Sequence, residues 1–348
     1  MASPLAGKGA AFRFVRALGD VARFGPGYAA IRFFATAPEP LSPGAAWGYF
    51  TNKPSRLRQS FIDNYPLPFQ RRLIMARMLR RTTHASGISF HYDVSNEFYR
   101  LFLDRDFMFY SCADFASGDD TIEIAQRRKA DHLLGLIAPA AGERILELGC
   151  GWGSMLRHIA ATTGDKASLS GTTLSQEQLR YIQENFGFDV RLEDFVTRQY
   201  TAESYDKIYS IGSMEHVKPK EILPLLRKLH AALVPGGRLV QHFFCLNGDP
   251  MPTSTIAGQL YFPGSALATH EYHLWAAREA GFTLTHDSSH DYRPTLRAWF
   301  ERLVENRARA LELVGPQTYN RYLVFFSSSW NFFNRKQATL HRLVLEKR

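Results

Sequence analysis

The 348-residue chain has only three cysteines, Cys112, Cys150 and Cys245. So few, so widely scattered, they form no disulfide framework and no close pair of thiolate ligands. No metal site is expected, and a reducing compartment such as the cytoplasm suits the chain. Long apolar runs are missing too: none reaches the roughly 20 residues that a bilayer-spanning helix needs. The chain is therefore expected to be soluble or to lie at a membrane surface. Acids are scarce at one end. Through Arg81, thirteen Lys and Arg face only Asp20, Glu39 and Asp63, a local balance of +10, while 29 basic and 30 acidic residues in the remainder balance to −1. The whole-chain excess of +9 thus sits in the first quarter, and such a block implies an anionic partner surface. Aromatics are not interleaved with these arginines as base stacking would require, which argues against nucleic acid.

Within that quarter, residues 11–24 have helical period. Phe14, Val15, Leu18, Val21 and Ala22 share one face, Arg13, Arg16, Asp20 and Arg23 the other, and Gly25-Pro26 ends the run. Three readings stay open: a helix lying in a membrane interface, a helix packed on the following domain, or, for residues 1–35, an Arg-rich and acid-poor mitochondrial targeting segment. A Pro-rich linker follows from Ala37 to Pro43, then a second basic helical stretch over 53–81. Residues 1–85 are accordingly expected as a basic helical extension to a domain spanning 86–348.

From about Asp120 helix and strand alternate. The pattern predicts helix 121–136, strand 144–148, helix 154–162, strand 167–171 and a helix starting near Ser175. Strands 189–192 and 206–211, helix 219–233 and strand 237–243 follow, with Pro235-Gly236-Gly237 as a turn. Such alternation gives an α/β fold with a mostly parallel, doubly wound sheet. After Asn247 it breaks into an aromatic-rich segment, read as a substrate-side lid or insertion over about 247–335 that includes helices 294–314 and 316–333.

The most informative stretch is Ile145-Leu-Glu-Leu-Gly-Cys-Gly-Trp-Gly153, an apolar strand that ends near an acid and enters a glycine turn, with Ser154 opening a helix. Strand, glycine turn and helix form the nucleotide-binding opening of an α/β sheet. A dinucleotide site would expect an acid about 20 residues on, but the next strand, Ala167 to Thr173, ends in hydroxyls. With Glu147 at the end of the first strand, an adenosine-type ligand without a pyrophosphate fits better, namely S-adenosylmethionine.

Flanking motifs then make a family recognisable. His91-Tyr-Asp-Val-Ser-Asn-Glu-Phe-Tyr99, Phe109-Tyr-Ser-Cys-Ala113 and Gly171-Thr-Thr-Leu-Ser-Gln-Glu-Gln178 flank the glycine loop. Downstream come Ser210-Ile-Gly-Ser-Met-Glu-His216, Tyr261-Phe-Pro-Gly264 and Asp291-Tyr-Arg-Pro-Thr-Leu-Arg-Ala-Trp299. From about His91 to Lys347 the chain resembles the cyclopropane-fatty-acyl-phospholipid synthase family of S-adenosylmethionine-dependent methyltransferases. The resemblance implies a class I methyltransferase (Rossmann-like) fold and assigns roles. Tyr110 and Ser111 would cap the methionine end of the cofactor, and Glu147, Gly149 and Gly151 would line its amino-acid and ribose portions. Thr172, Thr173 and Gln178 would contact ribose and adenine, and Asp194 and Phe195 the adenine edge.

The implied reaction transfers the methyl(ene) group to the double bond of an unsaturated fatty acyl chain of a phospholipid. An isolated alkene is a poor nucleophile, so the sulfonium methyl must be held in line with it. The carbocation that follows calls for a dry, aromatic site, for which Phe243, Phe244, Tyr261, Phe262, Phe325, Phe326, Trp330, Phe332 and Phe333 are candidates. Ring closure also needs a base. In the family this is a bicarbonate ion, and the matching side chains here are Cys112, Glu215, His242 and Tyr292, with Phe244 as the backbone contact. Met214, Lys218, Gln241 and Phe243 depart from the family pattern on the substrate side. Cyclopropane, methyl-branched and methylene products therefore stay open, as does a small soluble acceptor such as an amine. A non-enzymatic lipid- or nucleic-acid-binding role is disfavoured by the intact glycine loop and base-site residues. The partner expected is the acyl chain of a phospholipid at an anionic membrane surface, with peripheral association from the cytoplasm. A homodimer is left open.

Overall fold

The computed structural model describes residues 34–51, 95–247, 261–262 and 266–348. Helix 11–24, the basic stretch 53–81 and most of the loop after Asn247 lie outside the described residues.

In chain order the helices are α1 (Pro43–Thr51), α2 (Asn96–Arg100), α3 (Ile122–Ile137), α4 (Ser154–Thr163), α5 (Gln176–Asn185), α6 (Pro219–Ala232), α7 (His270–Glu279), α8 (Arg293–Glu305) and α9 (Arg307–Asn334). The strands are β1 (Ile145–Leu148), β2 (Leu169–Thr173), β3 (Asp189–Leu192), β4 (Tyr205–Ile211), β5 (Leu233–Leu246), β6 (Phe282–His290) and β7 (Ala338–Lys347). They form one sheet in the order β3-β2-β1-β4-β5-β7-β6. The pairs from β3 through β5 are parallel, and β5–β7 and β7–β6 are antiparallel.

Local chemistry sets the helix starts. Thr121 accepts from Ile124 N and begins α3, Ser175 accepts from Gln178 N and begins α5, and Thr269 accepts from Tyr272 N and begins α7. Pro219 begins α6, where a missing N–H costs nothing. All four residues of β1 are buried, because the sheet is covered on both faces. One face packs Ile145, Leu169 and Val240 against Leu133, Met155 and Ile182 of α3, α4 and α5. The other packs Leu146, Ile208 and Leu239 against α6 and α7. The doubly wound α/β reading therefore holds.

The segment expected as an insertion divides differently. It supplies α7 and the edge strand β6, and β7 follows it. In β6, Phe282-Thr-Leu-Thr-His-Asp-Ser-Ser-His290 is half exposed and pairs on one side only, so no clean apolar alternation marks it in the sequence. The helical pair breaks at Asn306 as well as at Gly315. Asn306 Nδ2 donates to Leu101 O at 3.0 Å and Arg302 O at 2.9 Å, so its side chain stops α8. Gly315 then kinks α9 with φ 70° and ψ 172°, just before Pro316. The Pro-rich linker is fixed to the body: buried Asn320 accepts from Leu41 N at 2.8 Å and donates to Ala37 O at 3.1 Å and Glu39 O at 2.7 Å.

Helices α8 and α9, with α2, build a third core around Phe98, Trp299, Tyr322 and Phe326. It sits beside the ends of the parallel strands, where open α/β sheets bind their ligands.

Candidate active site

A cleft of about 860 Å³, open to solvent, lies at the C-terminal ends of β1 and β4. Its floor is the glycine loop. Gly149 N donates to Thr172 Oγ1 at 3.2 Å and Cys150 N to Thr172 O at 2.8 Å, tying the loop to β2. Gly149 has φ 73°, and a Cβ there would stand 2.8 Å from Ser213 Cβ, so only glycine fits without displacing the strand end. Gly151 has φ 54° with nothing within 4 Å of where a Cβ would be, and it borders the cleft. That bare main chain gives a cofactor room to approach, as the S-adenosylmethionine reading requires.

Of the residues expected at the cofactor, Tyr110, Ser111, Glu147, Gly149 and Gly151 line the cleft, as do Thr173, Gln178 and Phe195. Thr173 Oγ1 and Gln178 Oε1 are joined at 2.8 Å. Two residues are placed otherwise. Thr172 is fully buried and not part of the wall, and its hydroxyl accepts from Gly149 N. Asp194 is not part of it either. Its Oδ1 accepts from Val196 N at 2.9 Å and closes the turn after β3, and the neighbouring Glu193 faces the cleft instead.

Glu147 is 2 % exposed, and burial pushes its carboxyl up to about 8, against the opposing pull of the Tyr209 hydroxyl and the Lys129 charge. The cap over the cleft, residues 107–111, is held from four sides. Asp104 accepts from Phe107 N at 2.6 Å and Phe109 N at 2.9 Å; Ser154 Oγ donates to Phe107 O at 2.5 Å. Gln126 Nε2 donates to Ser111 O and Lys129 Nζ to Ser111 Oγ, each at 2.9 Å. Lys129 is wholly buried, 3.4 Å over the Phe109 ring, and burial brings its pKa down to about 7 against the pull of Asp104. The sequence offered no signal for Asp104, Gln126 or Lys129, each a polar residue in an ordinary setting until the fold buries it. Trp152, whose Nε1 donates to Asn96 Oδ1 at 2.8 Å, and His216 complete the wall.

The four expected base-site side chains lie just behind that wall, each next to a residue that forms it or packed on its neighbours. Cys112 follows Ser111 and is fully buried; burial pushes its thiol up to about 12, so it stays a thiol. Its Sγ reaches Asp291 O at 3.5 Å, which puts it at the backbone entering Tyr292. The Tyr292 ring packs 5.9 Å from Trp299 and 6.4 Å from Phe244. Two residues before Phe244 on β5, His242 is fully buried, and its Nε2 has no partner. Glu215 lies in the 3₁₀ turn Met214–His216 after β4. Its Oε2 is also buried without a partner, and burial raises the carboxyl to about 8. Gly212 links the groups. Its N–H donates to His242 O at 2.8 Å, and a Cβ on it would lie 3.2 Å from Ser111 Cβ and 3.8 Å from Glu215 Oε1.

None of the nine aromatics expected around the substrate lines the cleft itself, but several of them pack on one another next to it. His216 of the wall lies tilted 4.9 Å from Phe262, Phe262 and Tyr261 pack on Phe325, and Phe325 packs on Phe326. Phe333 contacts both Phe244 and Tyr292. Phe243 does not belong to this cluster. Side chains alternate along a strand, and Phe243 points to the opposite face, where it packs 4.4 Å from His273.

Comparison with known proteins identifies the family and the fold. The family model "Mycolic acid cyclopropane synthetase" matches residues 79–343. A probable fatty acid methyltransferase of Pseudomonas putida is 33% identical over 280 residues, covering 77% of this chain and 70% of that protein. Cyclopropane mycolic acid synthase MmaA2 of Mycobacterium tuberculosis is 30% identical over 286 residues, 76% of this chain and 98% of that protein. Its solved structure superposes with a TM-score of 0.68 at 30% identity, covering 77% of this chain and 99% of that one. Mycolic acid cyclopropane synthase CmaA1, solved with SAH and CTAB, gives a TM-score of 0.68 at 28% identity, covering 77% of this chain and all of that one.

Proposed function

Because the chain belongs to the mycolic acid cyclopropane synthetase family of S-adenosylmethionine-dependent methyltransferases, we propose that it converts the double bond of an unsaturated acyl chain to a cyclopropane. The acceptor in this reading is a phospholipid, and the base is a bicarbonate ion held by Glu215, His242, Cys112 and Tyr292. The sulfonium of S-adenosylmethionine supplies the carbon.

One observation carries the reading: Glu215 Oε2 and His242 Nε2 are buried polar atoms without partners, on residues adjoining the cleft wall, Glu215 before His216 and His242 paired with Ile211. Unpartnered buried polar groups are costly and call for an explanation. A small oxyanion with its own proton fits, since it can both donate and accept. Glu215, with its carboxyl raised to about 8, carries a proton at neutral pH and can donate to such an ion. Cys112, kept as a thiol, donates weakly as well. The aromatic chain from His216 through Phe325 to Tyr292 offers ring faces to a developing cation and excludes water that would trap it. An acyl chain suits these apolar walls better than a small amine does.

The test is the lipid extract of an expressing host, compared with a host carrying the empty vector. Phospholipid acyl chains enlarged by one CH₂ and resistant to mild hydrogenation are expected. Enlarged chains that take up hydrogen would point to a methylene or branched alkene, and an unchanged lipid profile would overturn the phospholipid acceptor.

A further inference from the structure

Arg342 is fully buried and sits opposite His242 in the β5–β7 register. Its Nε donates to His242 Nδ1 at 3.0 Å. Its Nη1 and Nη2 donate to the two carboxylate oxygens of Asp114 at 2.8 and 2.6 Å. A guanidinium has only donors and keeps its proton in proteins, so His242 Nδ1 accepts. Burial, reinforced by the Arg342 charge, holds the His242 pKa well below the usual histidine value, so the ring is neutral. A neutral imidazole carries one N–H, and here it falls on Nε2, the nitrogen without a partner.

We propose that Arg342, clamped by Asp114, is a positioning residue that locks His242 in the Nε2–H tautomer and so presents a donor to the anion held beside Glu215. The inference rests on reading that pocket as a bicarbonate site. A bound anion needs N–H or O–H donors at the oxygens that do not take up the proton. The opposite tautomer would aim a lone pair at it. Arginine suits the task because one planar group spans both Asp114 oxygens and still offers Nε–H to the histidine, which an ammonium cannot do. Asp114 matters equally. Burial works against its carboxylate, but the Arg342 contacts outweigh that and keep it below the usual carboxylate range. His132 and His290 flank the same carboxylate at 3.4 and 3.7 Å.

The experiment uses the full chain labelled with ¹⁵N-histidine, in bicarbonate-containing and bicarbonate-stripped buffer. His242 in the wild type is expected to show a protonated Nε2 and a lone-pair Nδ1 at neutral pH. In Arg342→Met the two tautomers should mix. Turnover should fall about 100-fold, as losses of a fixed tautomer or geometry do, and half-saturating bicarbonate should rise about 10-fold. Binding of S-adenosylmethionine should change by less than about 2-fold. If Arg342→Met does not fold, the double variant Asp114→Asn/Arg342→Gln leaves no unpaired buried charge and is expected to show the same tautomer mixing. A wild-type His242 protonated on Nδ1, or a folded variant with unchanged tautomer and turnover, overturns the proposal. A locked tautomer together with activity indifferent to bicarbonate would support the lock and instead reject bicarbonate as the base.

Discussion

Tyr209 donates its hydroxyl to Glu147 Oε2 at 2.9 Å across directly paired positions of β4 and β1, and neither side chain is more than 2 % exposed. Their burial places a carboxyl at the cofactor cleft that keeps its proton up to about pH 8, well above the usual value of 4.5 for a glutamate. Between those two values the native state retains a proton that the unfolded state has lost, so the group's contribution to stability declines as pH rises. Glu147→Gln removes that dependence. Thermal melts of cofactor-free protein should show the variant about 5 °C above wild type at pH 8 and level with it near pH 4. Parallel curves for the two proteins would show that Glu147 ionises normally.

The glycine loop separates two kinds of damage. Gly149→Ala forces a Cβ to within 2.8 Å of Ser213 at φ 73°, so it should lower the melting temperature. Gly151→Asp meets no atom within 4 Å and should fold, although φ 54° costs on the order of 1 kcal/mol. Its side chain and charge would then occupy the cleft. Calorimetry should find Kd for S-adenosylmethionine raised at least about 100-fold. Affinity unchanged in a folded Gly151→Asp would move the cofactor away from this loop.

Glu215→Gln keeps the shape of the base site and loses the exchangeable carboxyl. If that group holds the bicarbonate that takes the proton removed during ring closure, as proposed, kcat should drop by about 100- to 1,000-fold while cofactor Kd stays within about 2-fold of wild type. Steady-state kinetics with defined vesicles, paired with calorimetry, separates the two. Equal losses in binding and turnover would make Glu215 part of the cofactor site instead.

What the sequence disclosed follows from how each feature is encoded. Helices with one apolar face alternate with strands between turn residues, so β1 to β5 and α3 to α6 could be located to within a few residues, although β2 (Leu169-Ser-Gly-Thr-Thr173) and the largely exposed β3 (Asp189-Val-Arg-Leu192) carry no apolar run. The edge strand β6 could not, since Thr283, Thr285, Ser288 and Ser289 carry no period that sets them apart from a loop. Gly149 and Gly151 were legible because their backbone requirement is local. Arg342 and Lys129 were not: Arg342 lies 100 residues along the chain from His242 and Lys129 lies 18 from Ser111, and only the packing of β7 on β5 and of α3 under the cap gives them a partner. Thr172 shows the converse. A hydroxyl at the end of β2 is equally suited to a ribose or to an amide of the glycine loop, and only the geometry decides for Gly149 N.

The basic N-terminal quarter remains to be connected to the acceptor. If the acceptor is a phospholipid acyl chain, as proposed, it lies in a bilayer that the enzyme must reach, and no helix among the described residues is long and apolar enough to cross a membrane. The balance of +10 through Arg81 offers another route. Each Lys or Arg near an anionic surface contributes about 1 kcal/mol, and a few together can hold the protein there reversibly. Phe14, Leu18 and Val21 would add shallow apolar contact if residues 11–24 form the helix that their spacing predicts. Deleting residues 1–35 should therefore cut sedimentation with anionic vesicles and leave S-adenosylmethionine affinity unchanged. Raising salt should do the same to the intact chain by screening. Binding that is equal on neutral and anionic vesicles, and indifferent to both salt and the deletion, would shift the acceptor from a bilayer lipid towards a small soluble molecule.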